Sequence, residues 1–303
     1  MASQPDALTR RAWLAAGLVA SLPLGACSMQ PDRDHAGADM PADGPLPRPA
    51  RIAWVFSSGG PRGFVHVGVI KALEELQLKP DLIVGASAGA LVGVLCAGGL
   101  RAAAMESLAL ELPVTRLLRV AIGGEQRLSG DAVADFVHDE LRALGRKPLL
   151  EQLPVMVACV GQRLDTRQPV AFTRGDAGLA VQAATAIEGQ FSPVRIRGQR
   201  HADADLVMPL PVRLARALGA TRVLAVDASA HEERTPPGAE RWRESDLRKR
   251  ELTAPDAAAA DVLLHPEFGY WANFNREYRE RAIGAGYRAT LAAAKELHAL
   301  HAL

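Results

Sequence analysis

Ser87 stands between two glycines in the segment GASAG, which follows an apolar, strand-like run and precedes a helix-like run. A serine raised on a sharp strand-to-helix turn has a strained backbone and needs small flanking residues, a need that Gly85 and Gly89 meet. The unpaired N–H groups at the start of the helix favour negative charge near the serine oxygen. The spacing is typical of a nucleophile for acyl transfer, although the same residue types also build ordinary tight turns.

A serine hydroxyl attacks a carbonyl only when a base takes its proton and hydrogen-bond donors receive the oxyanion. The loop SGGPRG, residues 58–63, follows a predicted first strand and lets backbone amides approach a carbonyl oxygen without an intervening Cβ. The loop is therefore a candidate oxyanion hole, and a plain tight turn is the alternative. The loop lacks the Lys-Ser/Thr pair of a nucleotide-binding P-loop. This chemistry needs neither a metal ion nor a cofactor, and we expect none.

The base can be an aspartate or a histidine. Asp203 and Asp205 lie in the segment HADADLVMPLPV, which is predicted to be a loop before a helix and suits a base. The alternative is a triad in the chain order serine, acid, histidine. In such a triad the acid is Asp203 or Asp227 and the base is His231 or His265. The residue types leave both the aspartate base and the triad open.

The elements that must position these residues alternate between strand-like and helix-like runs. Strands are predicted at residues 51–56, 82–84, 154–160, 169–172 and 222–226. Helices are predicted at residues 64–78, 90–97, 101–110, 131–144 and 273–300. The alternation predicts an α/β fold with a central, mostly parallel sheet that is covered on both faces. Functional groups then gather at the carboxyl ends of the strands.

The composition is that of one sizeable folded domain. The chain has 303 residues, 49% of them apolar, and 35 basic residues balance 34 acidic ones. We expect a single catalytic domain over residues 51–303. A chain without a basic, aromatic stripe is not expected to bind nucleic acid. Residues 231–251 are dense in arginine and glutamate and are predicted to be a charged surface insertion.

The N-terminal segment indicates export. Arg10 and Arg11 precede an apolar run that is too short to span a bilayer, so residues 1–26 are predicted to be a signal peptide. The run ends in Leu-Gly-Ala-Cys27, which resembles the lipobox of bacterial lipoproteins, so Cys27 would carry lipid. The alternative is an ordinary signal peptide in which Cys27 is incidental. Residues 27–50, rich in Pro, Asp and Gly, are predicted to be a disordered tether.

The lipobox resemblance also implies a location. In such lipoproteins an aspartate after the cysteine retains the protein at the inner membrane, whereas this chain has Ser28. We therefore expect attachment to the periplasmic face of a bacterial membrane, the outer membrane, through the N-terminal lipid. Cys96 and Cys159 lie in apolar segments and are expected to be two buried thiols.

Four ordered segments carry a wider resemblance. They are FSSGGPRGFVHVGVIKAL at 56–73, GASAG at 85–89, ATAIEGQFSPV at 184–194 and DADLVMPLPV at 203–212. In this order, and with IGAGY near the C-terminus, they resemble the bacterial patatin-like phospholipases over most of residues 51–290. The resemblance implies a three-layer α/β/α sandwich and a lipid ester substrate. It also implies a Ser-Asp dyad that works without histidine.

The resemblance assigns roles by position. Ser87 is the nucleophile and Asp203 the general base. The backbone at Gly59 and Gly60 forms the oxyanion hole, and Arg62 helps to set that loop. A non-catalytic lipoprotein that binds lipid with the same fold is the alternative from another class.

The chain departs from the family pattern in two places near these residues. Ser58 and Pro61 stand in the loop where three glycines and a small residue are common, and Pro61 has no N–H to donate. The usual Asp-Gly-Gly at the base is here Asp203-Ala204-Asp205. A second carboxylate two residues away can raise the pKa of the first by repulsion, or displace it.

Overall fold

The structure, a computed structural model, describes residues 27–28, 33–121 and 125–302, so the predicted signal peptide lies outside the described residues. The strands are β1 (Cys27–Ser28), β2 (Asp34–His35), β3 (Ile52–Phe56), β4 (Leu82–Ala86), β5 (Arg119–Ala121), β6 (Leu128–Ser129), β7 (Met156–Arg163), β8 (Gln168–Phe172), β9 (Val194–Ile196), β10 (Gln199–Asp203), β11 (Arg222–Val226) and β12 (Val262–Leu264). The helices are α1 (Phe64–Glu75), α2 (Ala88–Gly98), α3 (Ala102–Glu111), α4 (Asp131–Ala143), α5 (Ala177–Thr185), α6 (Val212–Ala217), α7 (Glu240–Ala258), α8 (Arg276–Ala292) and α9 (Ala294–His301).

A nine-stranded sheet forms the centre of the molecule. Its strands run in the order β12-β11-β3-β4-β7-β10-β9-β2, with β8 as a further partner of β7. The run from β12 to β7 is parallel, whereas β8 and β10 are antiparallel to β7. A central, mostly parallel sheet was predicted and is confirmed. The short strands β1, β5 and β6 form a separate small sheet.

Alternate residues of the central strands face two different cores, as the period of two in a β-strand requires. In β3, Trp54 and Phe56 belong to the larger core, which includes residues of α1, α2, α4, α5 and α8. Ala53 and Val55 face the smaller core, which includes residues of α6. The sheet is therefore covered by helices on both faces, and the predicted three-layer α/β/α sandwich is confirmed.

Helix α1, which follows the glycine loop, is held by a close crossing with α8. A Cβ atom at Gly68 would lie 1.8 Å from the carbonyl oxygen of Ile283. A Cβ atom at Gly286 would lie 2.1 Å from the carbonyl oxygen of Val65. The two backbones thus touch in both directions, and only glycine fits at either position.

Strand β7 brings two distant chain segments together. Strand β8 occupies one edge of β7 at residues 159–163, so β4 and β10 share the other edge. On that edge β4 ends with Ala86 beside Val160, and β10, running in the opposite direction, ends with Asp203 beside Gly161. Because Val160 and Gly161 are consecutive, their Cα atoms are about 3.8 Å apart. The residues that follow β4 and end β10 must therefore meet.

Residues 33–50 pack onto the domain, which corrects the prediction of a disordered tether for this part of residues 27–50. We call this segment the N-terminal strap. Strand β2 pairs with the edge strand β9, and Ala42 exchanges backbone hydrogen bonds with residues 173–174. The Asp176 N–H donates to the Asp39 carbonyl at 2.7 Å. Backbone pairing with a sheet edge needs no apolar periodicity, so the composition of the strap did not indicate it.

The predicted charged insertion, residues 231–251, is ordered and mostly helical, since α7 spans Glu240–Ala258. Asp246 in the insertion and Asp256, further along α7, are buried and paired: Tyr270 donates its hydroxyl proton to Asp246, and the Arg213 N–H donates to Asp256 at 2.7 Å. Most residues of the insertion are exposed or half-buried, and Ala239 and Asp246 are its buried residues. Within the described residues, no helix has the length and apolar character needed to cross a bilayer.

Two thiols were predicted in the core. Cys96 and Cys159 are both free; Cys159 is fully buried and Cys96 is partly buried. Burial raises the pKa of the Cys96 thiol to about 12, so it is protonated at neutral pH.

Candidate active site

Ser87 sits on a strained turn between β4 and α2. Its φ of 52° and ψ of −122° are rare for a residue with a side chain. The flanking glycines are required by contact: a Cβ atom at Gly85 would lie 2.3 Å from the Gly89 carbonyl oxygen, and one at Gly89 would lie 2.3 Å from that of Phe56. The sharp strand-to-helix turn predicted from the spacing is present, and Ser87 lies on it at the carboxyl end of β4.

Asp203 ends β10 and is 3% exposed, so it lies at a strand end and not in the loop that was predicted. Its Oδ1 accepts a hydrogen bond from the Asp205 N–H at 2.8 Å, and its carbonyl accepts one from Gln162 Nε2 at 2.9 Å. The Ser87 hydroxyl lies close enough to the carboxyl to lower its pKa by hydrogen bonding. The buried Oδ2 makes no hydrogen bond of ordinary length and angle. The pair is within reach, and such contacts commonly tighten when substrate binds.

The environment of Asp203 disfavours its charge. Burial and the negative charge of Asp205 raise the pKa of Asp203 to about 7. The nearby Ser87 hydroxyl, the hydrogen bond from the Asp205 N–H and the positive charge of Lys249 oppose this rise. A carboxyl with a pKa near the working pH is a far better base than an ordinary aspartate, because it both ionises and holds a proton.

The glycine loop packs directly against the serine turn. A Cβ atom at Gly63 would lie 2.4 Å from the Cβ of Ala88, the first residue of α2. At the other end of the loop, the Ser57 N–H donates to the carbonyl of Val226 in β11, and Ser57 Oγ accepts from the Ala228 N–H at 2.8 Å. The loop is thus fixed between β11 and the start of α2.

Only some amides of this loop can serve an oxyanion. The Ser58 N–H donates to the carbonyl of Pro209, and the Arg62 N–H donates to that of Gly59. Pro61 has no N–H. Gly60 has a φ of 53°, a left-handed conformation with no atom near a hypothetical Cβ. The expected oxyanion hole therefore depends on the amides of Gly59 and Gly60.

Arg62 stabilises the glycine loop and is only 4% exposed. Its guanidinium donates to four backbone carbonyls at 2.6–3.2 Å and stacks over the Phe268 ring at 4.3 Å. The acceptors are the carbonyls of Ala228, Ser229, Gly269 and Tyr270. The guanidinium fork thus joins the loop to two other chain segments, in keeping with the expectation that Arg62 sets its position.

The histidines proposed for a triad lie in a different cluster. The rings of His231 and His265 stack on one another with centroids 3.7 Å apart. His265 contacts Ser229, and His231 contacts Glu233 and Glu267. The side-chain contacts of both rings are with residues between 229 and 267, and none of them is with Ser87. The geometry therefore favours the Ser-Asp pair over the triad.

His66 and Asp227, two further polar residues near the sheet edge, have structural contacts. His66 is fully buried, its Nε2 bonds to the Ser57 carbonyl at 2.9 Å, and burial lowers its pKa to about 4, so the ring is neutral. Asp227 accepts a hydrogen bond from the Ser229 N–H at 2.8 Å, which fits a turn-capping role.

Sequence reasoning missed two residues that contact the base segment. Gln162 is fully buried in β7 and bonds to the Asp203 carbonyl; a polar residue inside an apolar strand is the signal that could have found it. Lys249 reaches from α7 to Asp205, at 2.5 Å, and to Ser58, at 3.2 Å. No local pattern marks this lysine, because its partners are far away in sequence.

The fold is similar to one solved structure in particular. VipD from Legionella pneumophila superposes with a TM-score of 0.54 and 15% sequence identity, covering 84% of this chain and 67% of that chain. At this identity the likeness concerns the fold alone.

Sequence comparison identifies the family. An uncharacterised NTE family protein of Mycobacterium tuberculosis is 33% identical over 184 residues, 60% of this chain and 50% of the relative. A lysophospholipase of Coccidioides immitis is 28% identical over 201 residues, 62% of this chain and 12% of the relative. The chain thus spans half of the mycobacterial relative. The family model for patatin-like phospholipases matches residues 54–216, which include Ser87 and Asp203. The chain belongs to the patatin-like phospholipase family.

Proposed function

We propose that this chain is a serine acyl hydrolase that cleaves ester bonds of phospholipids or other lipids through a Ser87–Asp203 dyad. The observation that carries the proposal is the meeting of β4 and β10 on one edge of β7, which sets a strained serine beside a buried carboxyl. Family membership supports a lipid ester as substrate. The relative from Coccidioides immitis is a lysophospholipase, which supports the same substrate class.

The proposed reaction has two halves. Asp203 takes the hydroxyl proton as Ser87 Oγ attacks the ester carbonyl, and the negative oxygen of the tetrahedral intermediate accepts hydrogen bonds from the amides of Gly59 and Gly60. Collapse expels the alcohol, which receives the proton, and leaves the acyl group on Ser87. Water, deprotonated by Asp203, then attacks this ester, and Asp203 returns the proton to Ser87 Oγ as the acyl–oxygen bond breaks and the fatty acid leaves. The N-terminus of α2 favours the negative charge in both halves.

The test is hydrolysis of nitrophenyl esters and of defined phospholipids by wild type, Ser87→Ala and Asp203→Asn. We expect each variant to lose about a thousandfold or more in kcat/KM, the scale seen when a member of a hydrolase dyad or triad is removed. A fluorophosphonate probe should label the wild type and not Ser87→Ala. A wild type that resists the probe would instead support the non-catalytic lipid-binding alternative.

Asp227→Asn is the matched control for the base. Asp227 is also a buried aspartate at a strand end of the same sheet, and its variant should retain activity near that of wild type. His231→Ala and His265→Ala should do the same. A thousandfold loss in either histidine variant would replace the dyad by the triad, with Asp227 as its acid if Asp203→Asn stays active and Asp203 if it does not.

We propose in addition that Cys27 anchors the protein to the periplasmic face of a bacterial membrane, the outer membrane. The support is the Leu-Gly-Ala-Cys sequence after a short apolar run, with Ser28 following. Metabolic labelling with radioactive palmitate should mark the wild type, and Cys27→Ala should abolish the label and release the protein from membranes. Unlabelled wild type that fractionates as a freely soluble protein would refute the anchor.

A further inference from the structure

Three side chains beside the Ser87–Asp203 pair contact one another and come from three separate segments. Ser58 belongs to the glycine loop, Asp205 to the turn after β10, and Lys249 to α7. The Ser58 hydroxyl donates to Asp205 Oδ1. The Lys249 ammonium lies 2.5 Å from the same oxygen and 3.2 Å from Ser58 Oγ. We call this cluster the Lys249 bridge.

The Lys249 bridge touches both halves of the proposed machinery. Asp205 donates its N–H to Asp203 Oδ1 at 2.8 Å, so the turn that carries one carboxylate also holds the other. Ser58 directly precedes Gly59 in the glycine loop. The side chain of Lys249 is only 21% exposed and that of Asp205 38%, so the ion pair is partly shielded from water and is stronger than a pair on the open surface.

The charges of the bridge act on Asp203 in opposite directions. Asp205, on the same turn, raises the pKa of Asp203 by repulsion. Lys249, facing it from α7, lowers that pKa, as does the Ser87 hydroxyl on the neighbouring turn. Two carboxylates separated by one residue would disfavour a charged base strongly unless a cation compensated one of them.

We propose that Lys249 is a positioning residue for the dyad: it neutralises Asp205, so that Asp203 stays available as a base, and it holds Ser58 and with it the oxyanion loop. This inference rests on the proposed function. It also accounts for two departures from the family pattern together, because Ser58 and Asp205 are partners of one another and of the same lysine.

The test is the pH dependence of kcat/KM for ester hydrolysis in single and double variants. Lys249→Met should move the acid limb of the profile upward by about 1 pH unit, because Asp205 then repels the ionised base without compensation. Asp205→Asn should move the limb downward, and Lys249→Met/Asp205→Asn should return it close to wild type. Lys249→Arg keeps the charge and should rescue the profile. Arg248→Met, one residue away on α7 where the side chain is 68% exposed, is the matched control and should leave it unchanged.

A second readout does not need activity. The gain in stability from Asp203→Asn near neutral pH measures the penalty of charging Asp203, and it should be larger in chains that carry Lys249→Met. If no chain, wild type included, hydrolyses esters but Lys249→Met still enlarges the stability gain from Asp203→Asn, the proposed function is contradicted and the role of Lys249 is supported. An unchanged pH profile and an unchanged stability coupling in Lys249→Met would overturn the bridge. Asp205→Asn has its own expected direction, so the test also works if Lys249→Met fails to fold.

Discussion

At the residue scale, a buried base is a source of instability. Because the pKa of Asp203 is raised to about 7, above the ordinary value of 3.8, the folded chain binds this proton more tightly than the unfolded chain does. The carboxyl of Asp203 therefore has no effect on the free energy of unfolding at pH values below its unfolded pKa. As the pH rises towards its folded pKa, it lowers the free energy of unfolding progressively. The penalty for keeping a base in place is therefore largest at the pH where the base works.

Replacing Asp203 by asparagine should remove that penalty. The amide still accepts the Asp205 N–H, so we expect Asp203→Asn to be more stable than wild type by about 3–4 kcal/mol near pH 8, with little difference near pH 3. Urea unfolding of both chains across this range measures it. Parallel stability curves for the two chains would show that Asp203 titrates normally.

The residues of the site differ in how well the sequence predicted them. Gly85, Ser87 and Gly89 belong to one short turn, so their spacing in the sequence marks that turn. Lys249 contacts Asp205 across 44 residues of sequence, and the chain offers no local signal for such a pair. Local geometry is therefore predictable, whereas side-chain partners from separate segments require the fold.

At the element scale, strands that are buried on both faces of the sheet were predicted best. The continuous apolar runs of β3, β4 and β11 indicated buried parallel strands, and these strands are confirmed. Helix α7 has few apolar residues and is held by buried polar contacts, so its composition indicated a solvated insertion. The predicted C-terminal helix, residues 273–300, is divided into α8 and α9 near Ala293.

The crossing of α1 and α8 gives a prediction at this scale. Gly68→Ala and Gly286→Ala each place a methyl group against backbone of the partner helix, which cannot move aside as a flexible side chain would. We expect each to lower stability by about 2–3 kcal/mol. Gly284→Ala, also on α8, meets only the end of the Arg288 side chain at 3.1 Å and is the matched control. Denaturant midpoints measure all three, and equal effects would mean that the helices do not touch as described.

At the scale of the whole molecule, the N-terminal strap closes one side of the domain. Strand β2 covers the edge of β9, and the Gly44 carbonyl accepts a hydrogen bond from Thr173 Oγ1 at 3.0 Å. Ala50, at the end of the strap, is 4% exposed. The four motifs that indicated the fold all lie after residue 55, so they carried no information about this segment. Its attachment follows from unpaired backbone groups at the sheet edge, which only the assembled sheet creates.

Removing the strap should therefore weaken the entire domain. A chain that begins at residue 51 loses the pairing of β2 with β9 and the backbone hydrogen bonds of residues 173, 174 and 176, so we expect its Tm to fall by roughly 5–10 °C relative to a chain that begins at residue 33. Differential scanning calorimetry of the two chains measures the effect, and hydrogen exchange should show β9 losing protection at the same time. Because a tether contributes nothing to the folded core, identical Tm values for both chains would restore the tether that the composition of residues 27–50 had suggested.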